Sequence, residues 1–489
     1  MTSETSTDTT AIDAEPLSGS NQAGDDRLPT LIKASWGFGA FGVAILMNAI
    51  GGLMVYYLTK IVGMEGWIAG VLLSAARLFD AFNDPLIGYL SDRTPERFGG
   101  RRRPYLLTGS IACTIAMLLC FNIPLSGSGT LTVFYVAVAL VFYGFAYSIF
   151  NVPFIAMPAE MTRGYHERSS IHGWRVVFAG SGLAMAGAGS GLILSWLSVA
   201  EVNGVQVNTQ SDYTQLSFVF AVLVFLSMIT AWHGTRHAPV TKRTITQLPW
   251  RAQVQSFFGN KPFMTIMLVK ALQLIGVYAN QTALFFMVVE VMQRSSADIA
   301  YIGLPSVFVS ILVTPLLLRY AKRFGKRVAY MTAALFASAS YVSWIFATPD
   351  EPHYMLVIRG VLVGVGFAGN VLFAMSMIAD AIEWDSIRTG LHREGMFTAV
   401  FSFVEKFAGA IGPTIVGVAL SWAGFSATSA VTPESYATLR QATLIGVSYF
   451  PAVCATLSVV VLCFYNLSEQ SLANARQEAK AAGTLESHS

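Results

Sequence analysis

Asp80, Asn83 and Asp84 are the residues of this sequence whose types and spacing are best suited to chemistry. They stand at i, i+3 and i+4, which puts all three side chains on one face of a helix. The apolar run Ile68 to Leu78 precedes them, and Pro85 and a basic stretch ending at Arg103 follow. Three oxygen-bearing side chains therefore converge inside a predicted membrane span. A carboxylate at mid-bilayer costs roughly 2.5 kcal/mol or more on insertion scales. Two on one face persist only if something offsets that cost. A bound cation does so; so does protonation of the pair, or capping of a neighbouring helix. Intramembrane acids most often mark ion or proton pathways, so this face is the first candidate site, for Na+ or H+.

Further polar groups lie in other apolar segments. Tyr147, Ser148, Asn151 and Pro153 fall in the fourth, with Ser148 and Asn151 one turn apart. Such residues often bond a neighbouring helix; facing the second segment, they complete an oxygen cage of the kind a hard cation prefers. Arg175 opens the fifth segment. Lys406, with Glu405 beside it, stands about a dozen residues into the eleventh. Lys406 either pairs internally, snorkels, or faces a cavity that takes an anionic or hydroxyl-rich solute. Lys270 and Glu290, near the two ends of the seventh segment, are read as interfacial.

The elements that position these residues are membrane helices. Of 489 residues, 54% are hydrophobic and 12% charged, and the mean hydropathy is +0.55. A soluble chain is nearer a quarter charged. Twelve apolar segments are about 20 residues or longer, enough to cross a hydrocarbon core of ~30 Å. They are 31–62, 67–91, 104–124, 131–158, 172–198, 214–234, 262–292, 298–319, 327–347, 354–380, 395–423 and 441–466. Arg and Lys cluster after the even-numbered segments: Arg93 to Arg103, Arg163 and Arg168, Arg236 to Lys261, Lys322 to Arg327, and Arg388 and Arg393. The intervening loops hold little beyond Arg294 and Arg440. By the positive-inside rule, both termini are cytoplasmic.

The basic connection 235–261 divides the chain into six-helix halves, 31–234 and 262–466. Residues 1–30 are a polar tail predicted to be disordered, with no apolar core for a secretory signal. Residues 467–489 form a second cytoplasmic tail, with a short helix expected over Ser468 to Ala482. The halves echo each other: Arg97-Phe98-Gly99-Gly100-Arg101 follows the second segment and Arg323-Phe324-Gly325-Lys326-Arg327 the eighth. Two related bundles with a site between them make an alternating-access carrier. At the cytoplasmic side Asp380 and Glu383 face Arg163 and Arg168 across the interface. These charges are expected either to latch the outward-facing state or to be ordinary solvated loop charge. Cys113, Cys120, Cys454 and Cys463 have neither disulfide nor metal spacing and read as packing residues. The seven histidines show no ligand spacing, which argues against a membrane enzyme. No charged or carbonyl ring suggests a channel.

The chain resembles the glycoside–pentoside–hexuronide:cation symporter family of the major facilitator superfamily over about 31 to 466. The resemblance rests on Ser35-Trp36-Gly37-Phe38-Gly39-Ala40-Phe41-Gly42, Asp80-Ala81-Phe82-Asn83-Asp84-Pro85, Asn151-Val152-Pro153-Phe154, and Ala379-Asp380 through Glu394-Gly395. It implies an all-α fold of twelve transmembrane helices in two pseudo-symmetric six-helix bundles. It also implies cation ligation by Asp80, Asn83, Asp84 and Ser148, with Arg175 and Lys406 lining a solute cavity beside Tyr147 and Asn151. Val43, Ala44, Asn151 and Ile155 depart from the family's galactoside pattern. The expected cargo is thus a sugar, glycoside or glucuronide-like solute moving with Na+. H+ coupling and an amphipathic lysophospholipid-like cargo are the alternatives. No cofactor and no nucleic acid are expected. The expected partners are the solute, a monovalent cation and membrane lipids, for a monomer in a bacterial inner membrane.

Overall fold

The computed structural model describes residues 28–94, 102–124, 127–162, 165–198, 201–202, 205–206, 208–236, 238, 259–389, 394–425, 433–467 and 469–481. Twelve helical segments in it are long enough to cross a bilayer. They are α1 Thr30–Ile61, α2 Gly66–Arg93, α3 Arg103–Phe121, α4 Thr130–Ala156, α5 (Tyr165–Ala184, continued to Leu197), and α6 Gln210–Gly234. The second set is α7 Lys261–Val291, α8 Ser296–Phe324, α9 Lys326–Phe346, α10 His353–Thr389, α11 Glu394–Trp422, and α12 (Pro433–Leu444, continued to Cys463). Eleven are also apolar enough by composition to span. The helix that falls short is α2, because Arg77, Asp80, Asn83 and Asp84 lie in it. The segment that carries the candidate site is thus the one whose apolarity is sacrificed.

The architecture is the expected all-α, twelve-helix one. In the first half α1 packs on α5 and α6, and α3 on α4 and α6. In the second, α10 packs on α8 and α9, and α7 on α12. The basic connections lie at the start of odd-numbered helices and the end of even-numbered ones; that end is called here the basic face, and the other the far face.

The repeat is visible in backbone detail. The last turn of α1 widens into a π-helical turn, Tyr57–Ile61, closed by Val62 N to Tyr57 O (3.0 Å) and Met64 N to Leu58 O (2.8 Å). α7 ends in the same way, with Phe286–Val291 closed by Met292 N to Met287 O (2.9 Å) and Arg294 N to Val288 O (3.1 Å). The residue between each pair of donors has positive φ: Gly63 at 80° and Gln293 at 52°. Glycine adopts that conformation without steric cost, so the second half holds it with a less suited residue.

Several boundaries differ from expectation. α10 runs nine residues beyond the apolar segment, to Thr389, since neither Gly nor Pro interrupts the chain between Ala381 and Thr389. A two-residue hairpin, Glu201–Val202 with Val205–Gln206, sits in the α5–α6 connection. The C-terminal helix is Glu469–Ala481. Cys113, Cys120 and Cys454 are buried and free, as packing residues should be; Cys463 is free but exposed. The N-terminal tail to residue 27, Arg97 to Arg101, and residues 239–258 of the connection between halves lie outside the described residues.

Candidate functional site

α2 and α4 run in the same direction and meet in constant register. Gly144 lies against Asp80, Ser148 against Asp84, and Val152 against Gly88, one contact per turn. Gly144 is needed at this approach, since a Cβ there would collide with Asp80 Oδ1. Ser148 Oγ donates to Asp84 Oδ1 at 2.7 Å. Asp80 is 1% exposed and Ser148 fully buried, with Asn83 buried on the same face of α2. Among the described residues, Asp80 Oδ1 and Asn83 Nδ2 are buried without a hydrogen-bond partner. Buried polar atoms are normally paired, so these are groups still able to take a ligand. Rotating the Asn83 amide by 180° turns an oxygen to that place. A carboxylate pair, an amide and a hydroxyl form a donor set suited to a hard monovalent cation.

Lys406 enters this cluster from the other half. Its Nζ donates to Asp80 O at 2.8 Å and pairs with Asp84 Oδ2. Internal pairing, one of the readings open for Lys406, is found: the lysine is the counter-ion of Asp84, a carboxylate expected to hold the cation. Only the packing of α2 on α11 reveals this, because the two residues are 322 positions apart. Arg77 was overlooked in the sequence. It stands one turn before Asp80, inside the run counted as apolar. It is buried, its Nη2 donates to Met47 O at 3.3 Å, and its guanidinium lies 6.0 Å from the Tyr278 ring centre. An arginine three positions before an intramembrane aspartate was the available signal.

The predicted solute residues are spread around this cluster. Tyr147 is buried with its hydroxyl 3.6 Å from Met47 Sδ. Asn151 Oδ1 is buried without a partner among the described residues. Arg175 is half-buried on α5, within electrostatic reach of Tyr147 and of Glu405 on α11. Lys270 is not interfacial. It is 6% exposed, and its Nζ donates to Asn370 Oδ1 at 2.9 Å. Glu290 does sit at a helix end, where it joins α1 to α7: Lys60 Nζ lies 2.8 Å from its Oε2, and Tyr56 donates to its Oε1 at 2.8 Å.

The halves touch mainly through α2 and α11, which run in opposite directions. Gly66 and Gly70 pack on Gly417 and Pro413; a Cβ on Gly70 would come within 2.7 Å of Pro413 O. Ser74 donates to Ala410 O, and one level deeper come Asp80, Asp84 and Lys406. Small residues let the backbones approach, so this seam is closed from the far face down to the carboxylates. The Lys60–Glu290 pair and the bond from Ser296 Oγ to Gly191 O (3.1 Å) also join the halves on the far side. On the basic face the described polar contacts stay within a half: Arg102–Glu160, Lys33–Glu167, Lys326–Asp380. Asp380 engages Lys326 at 2.6 Å. Glu383 is half-buried near the end of α10. Arg163 and the side chain of Arg168 lie outside the described residues.

A buried face of carboxylates, an amide and a hydroxyl where two six-helix bundles meet fits a secondary transporter of the major facilitator fold. The chain matches the model of the MFS/sugar transport protein family over residues 35–469 and belongs to that family. It is a member of the glycoside–pentoside–hexuronide symporter group, a family of transporters and not of enzymes. It is 26% identical over 453 residues to the uncharacterized symporter YnaJ of Bacillus subtilis (strain 168), covering 91% of this chain and 94% of the relative. It is 24% identical to the glucuronide carrier protein homolog of Escherichia coli (strain K12), covering 90% and 93%. Among solved structures it is similar to a bacterial homolog of the human lysosomal transporter Spinster, in an inward-facing and unoccupied conformation. That match has a TM-score of 0.62 and 15% identity, covering 91% of this chain and 98% of the other. The protein is an integral, multi-pass membrane protein of symporter type.

Proposed function

We propose that the protein couples the inward movement of Na+ to that of a sugar, glycoside or glucuronide-like solute by alternating access. The basic face is cytoplasmic, both termini lie there, and the membrane is a bacterial inner membrane. The halves are 31–234 and 262–466, joined by 235–261. One observation carries this reading: a carboxylate pair with an unpartnered buried oxygen lies at the level where the other half's Lys406 reaches Asp84.

With the far face closed, this is an inward-facing arrangement. When the halves rock to open the far face, the α2–α11 seam parts and Lys406 leaves Asp84. Na+ then occupies Asp80, Asn83, Asp84 and Ser148, and its charge offsets that of the carboxylates. Closing the seam returns the ammonium to Asp84. Two cations do not share that carboxylate, so Na+ is expelled toward the basic face. With a neutral solute, electrical drive supplies ~2.3 kcal/mol per charge per 100 mV; with a monoanion and one Na+ no net charge moves and the Na+ gradient alone drives the cycle. Coupling requires that each ligand strengthen the binding of the other. The alternation of Asp380 between Lys326 and the arginines of the first half belongs to the same rocking motion.

Binding of radioactive Na+ to purified protein in detergent tests this without a known solute. Wild type is expected to bind saturably, and Asp84→Asn to lose at least tenfold in affinity. Unchanged Na+ binding in Asp84→Asn would refute the site. Acid competition without any Na+ binding would point to H+ as the coupling ion.

A further inference from the structure

The transported solute, its chemistry unspecified so far, is constrained by charge. Around the junction of the halves, Arg77, Arg175, Lys270 and Lys406 stand within electrostatic range of Asp80, Asp84 or Glu405. Other charged groups in the spans have partners elsewhere, such as Arg359 with Glu351 and Lys60 with Glu290. The interior therefore carries one surplus positive charge before any cation enters. A travelling Na+ adds another. Uncompensated charge in a low-dielectric interior is costly. A neutral solute leaves that surplus in place, whereas a monoanion restores the balance of the empty carrier.

Two of the four cations, Arg175 and Lys270, have no carboxylate bonded to them among the described residues, and Lys270 is the more deeply buried of the two. Lys406 is paired with Asp84, and Arg77 is one helical turn from Asp80. Lys270 is buried, yet the partner its ammonium bonds is the neutral Asn370 Oδ1, at 2.9 Å. Among the described residues no carboxylate pairs with it; Glu405 acts on it only at longer range. The surroundings are a built network of neutral groups. Tyr330 donates to Gln273 Oε1 at 2.7 Å and Gln273 Nε2 to Ser458 Oγ at 3.1 Å, with the Tyr330 hydroxyl 3.3 Å from Asn370 Oδ1. An ammonium has three donors, and Asn370 Nδ2 has no acceptor among the described residues. Lys270 stands nine residues into α7 and Asp84 nine residues before the end of α2, so both lie about 14 Å along their helices from the basic face.

We infer that Lys270 and Asn370, in the second half, hold an anionic group of the solute, a carboxylate or sulfonate on a polyol or sugar, while the first half holds the cation. This rests on the symport reading above and narrows its cargo. Cation and anion on opposite halves at one depth attract each other across the cleft. Each therefore favours closure around both.

The test uses purified full-length protein and three matched pairs: methyl β-glucuronide with methyl β-glucoside, glucuronate with glucose, and 2,3-dihydroxypropane-1-sulfonate with glycerol. Binding is read by calorimetry with and without Na+. Wild type is expected to prefer the anion of at least one pair by tenfold or more. Lys270→Gln should lose that preference while binding radioactive Na+ as wild type does, and Lys270→Arg should retain it. With no solute present, Lys270→Gln should melt a few degrees higher than wild type, because an uncompensated buried charge is removed; a purely structural lysine would give a lower value. Preference for the neutral members, binding of none of the anions, or an intact preference in Lys270→Gln overturns the inference. If the anion preference and its loss hold while Na+ has no effect on either, the anion site stands and the coupling reading fails.

Discussion

Lys406→Met isolates the competition at the centre of the proposed mechanism. Methionine keeps an unbranched apolar stem of similar length and removes only the ammonium. In wild type with the far face closed, Na+ must displace that ammonium from Asp84 and from Asp80 O. A hydrogen bond to a charged group contributes about 1.5–3 kcal/mol net. The Coulomb energy of the pair at an effective dielectric of 20 is about 4 kcal/mol at 4 Å, an upper bound because the side chains are 14% and 23% exposed. Removing the competitor should therefore tighten Na+ binding by about 1.5–3 kcal/mol, roughly ten- to hundredfold. The assay is titration of purified protein with radioactive Na+. In proteoliposomes the same variant should keep solute exchange at equal Na+ on both sides and lose net accumulation, since release of the cation becomes slow. Weaker or unchanged Na+ binding in Lys406→Met would show that the lysine supports the site rather than competing for it.

Two further outcomes follow from the packing. Gly144→Ala places a methyl against Asp80 Oδ1; overpacking of this kind costs about 1–3 kcal/mol, so Na+ affinity should fall roughly tenfold while the variant stays monodisperse on size exclusion. Glu290→Gln removes the Lys60 pair that joins the halves on the far side. The loss of about 1 kcal/mol from this partly buried pair should speed maleimide labelling of a Ser74→Cys reporter several-fold, in a background where the exposed Cys463 is replaced by Ser; an unchanged rate would show that the pair does not bear on opening.

What was legible in the chain follows from local rules. Apolar length predicts spans one at a time, and twelve membrane-length helices are found, with α10 longer than its apolar stretch because no Gly or Pro ends the helix where apolarity ends. The i, i+3, i+4 spacing places Asp80, Asn83 and Asp84 on one helix face wherever that helix packs. The partnership of Ser148 with Asp84 was accessible through the family resemblance, and the parallel register of α2 on α4 gives it a geometric cause.

Contacts between distant helices followed a different logic. Which basic group meets which acid depends on how the halves dock, and no local period encodes that. Lys406, for which internal pairing and a solute role were both open, lies on Asp84, while Lys270, read as interfacial, is buried in a neutral network. Arg77 was hidden because a single charge inside an apolar run reads as an interruption until its neighbours are known. The chain alone specified helices, faces and the chemistry available on each, because those depend on neighbours a few residues away. The pairing of charges across the halves was settled only in three dimensions, where helices hundreds of residues apart meet and the cost of burying charge selects the partners.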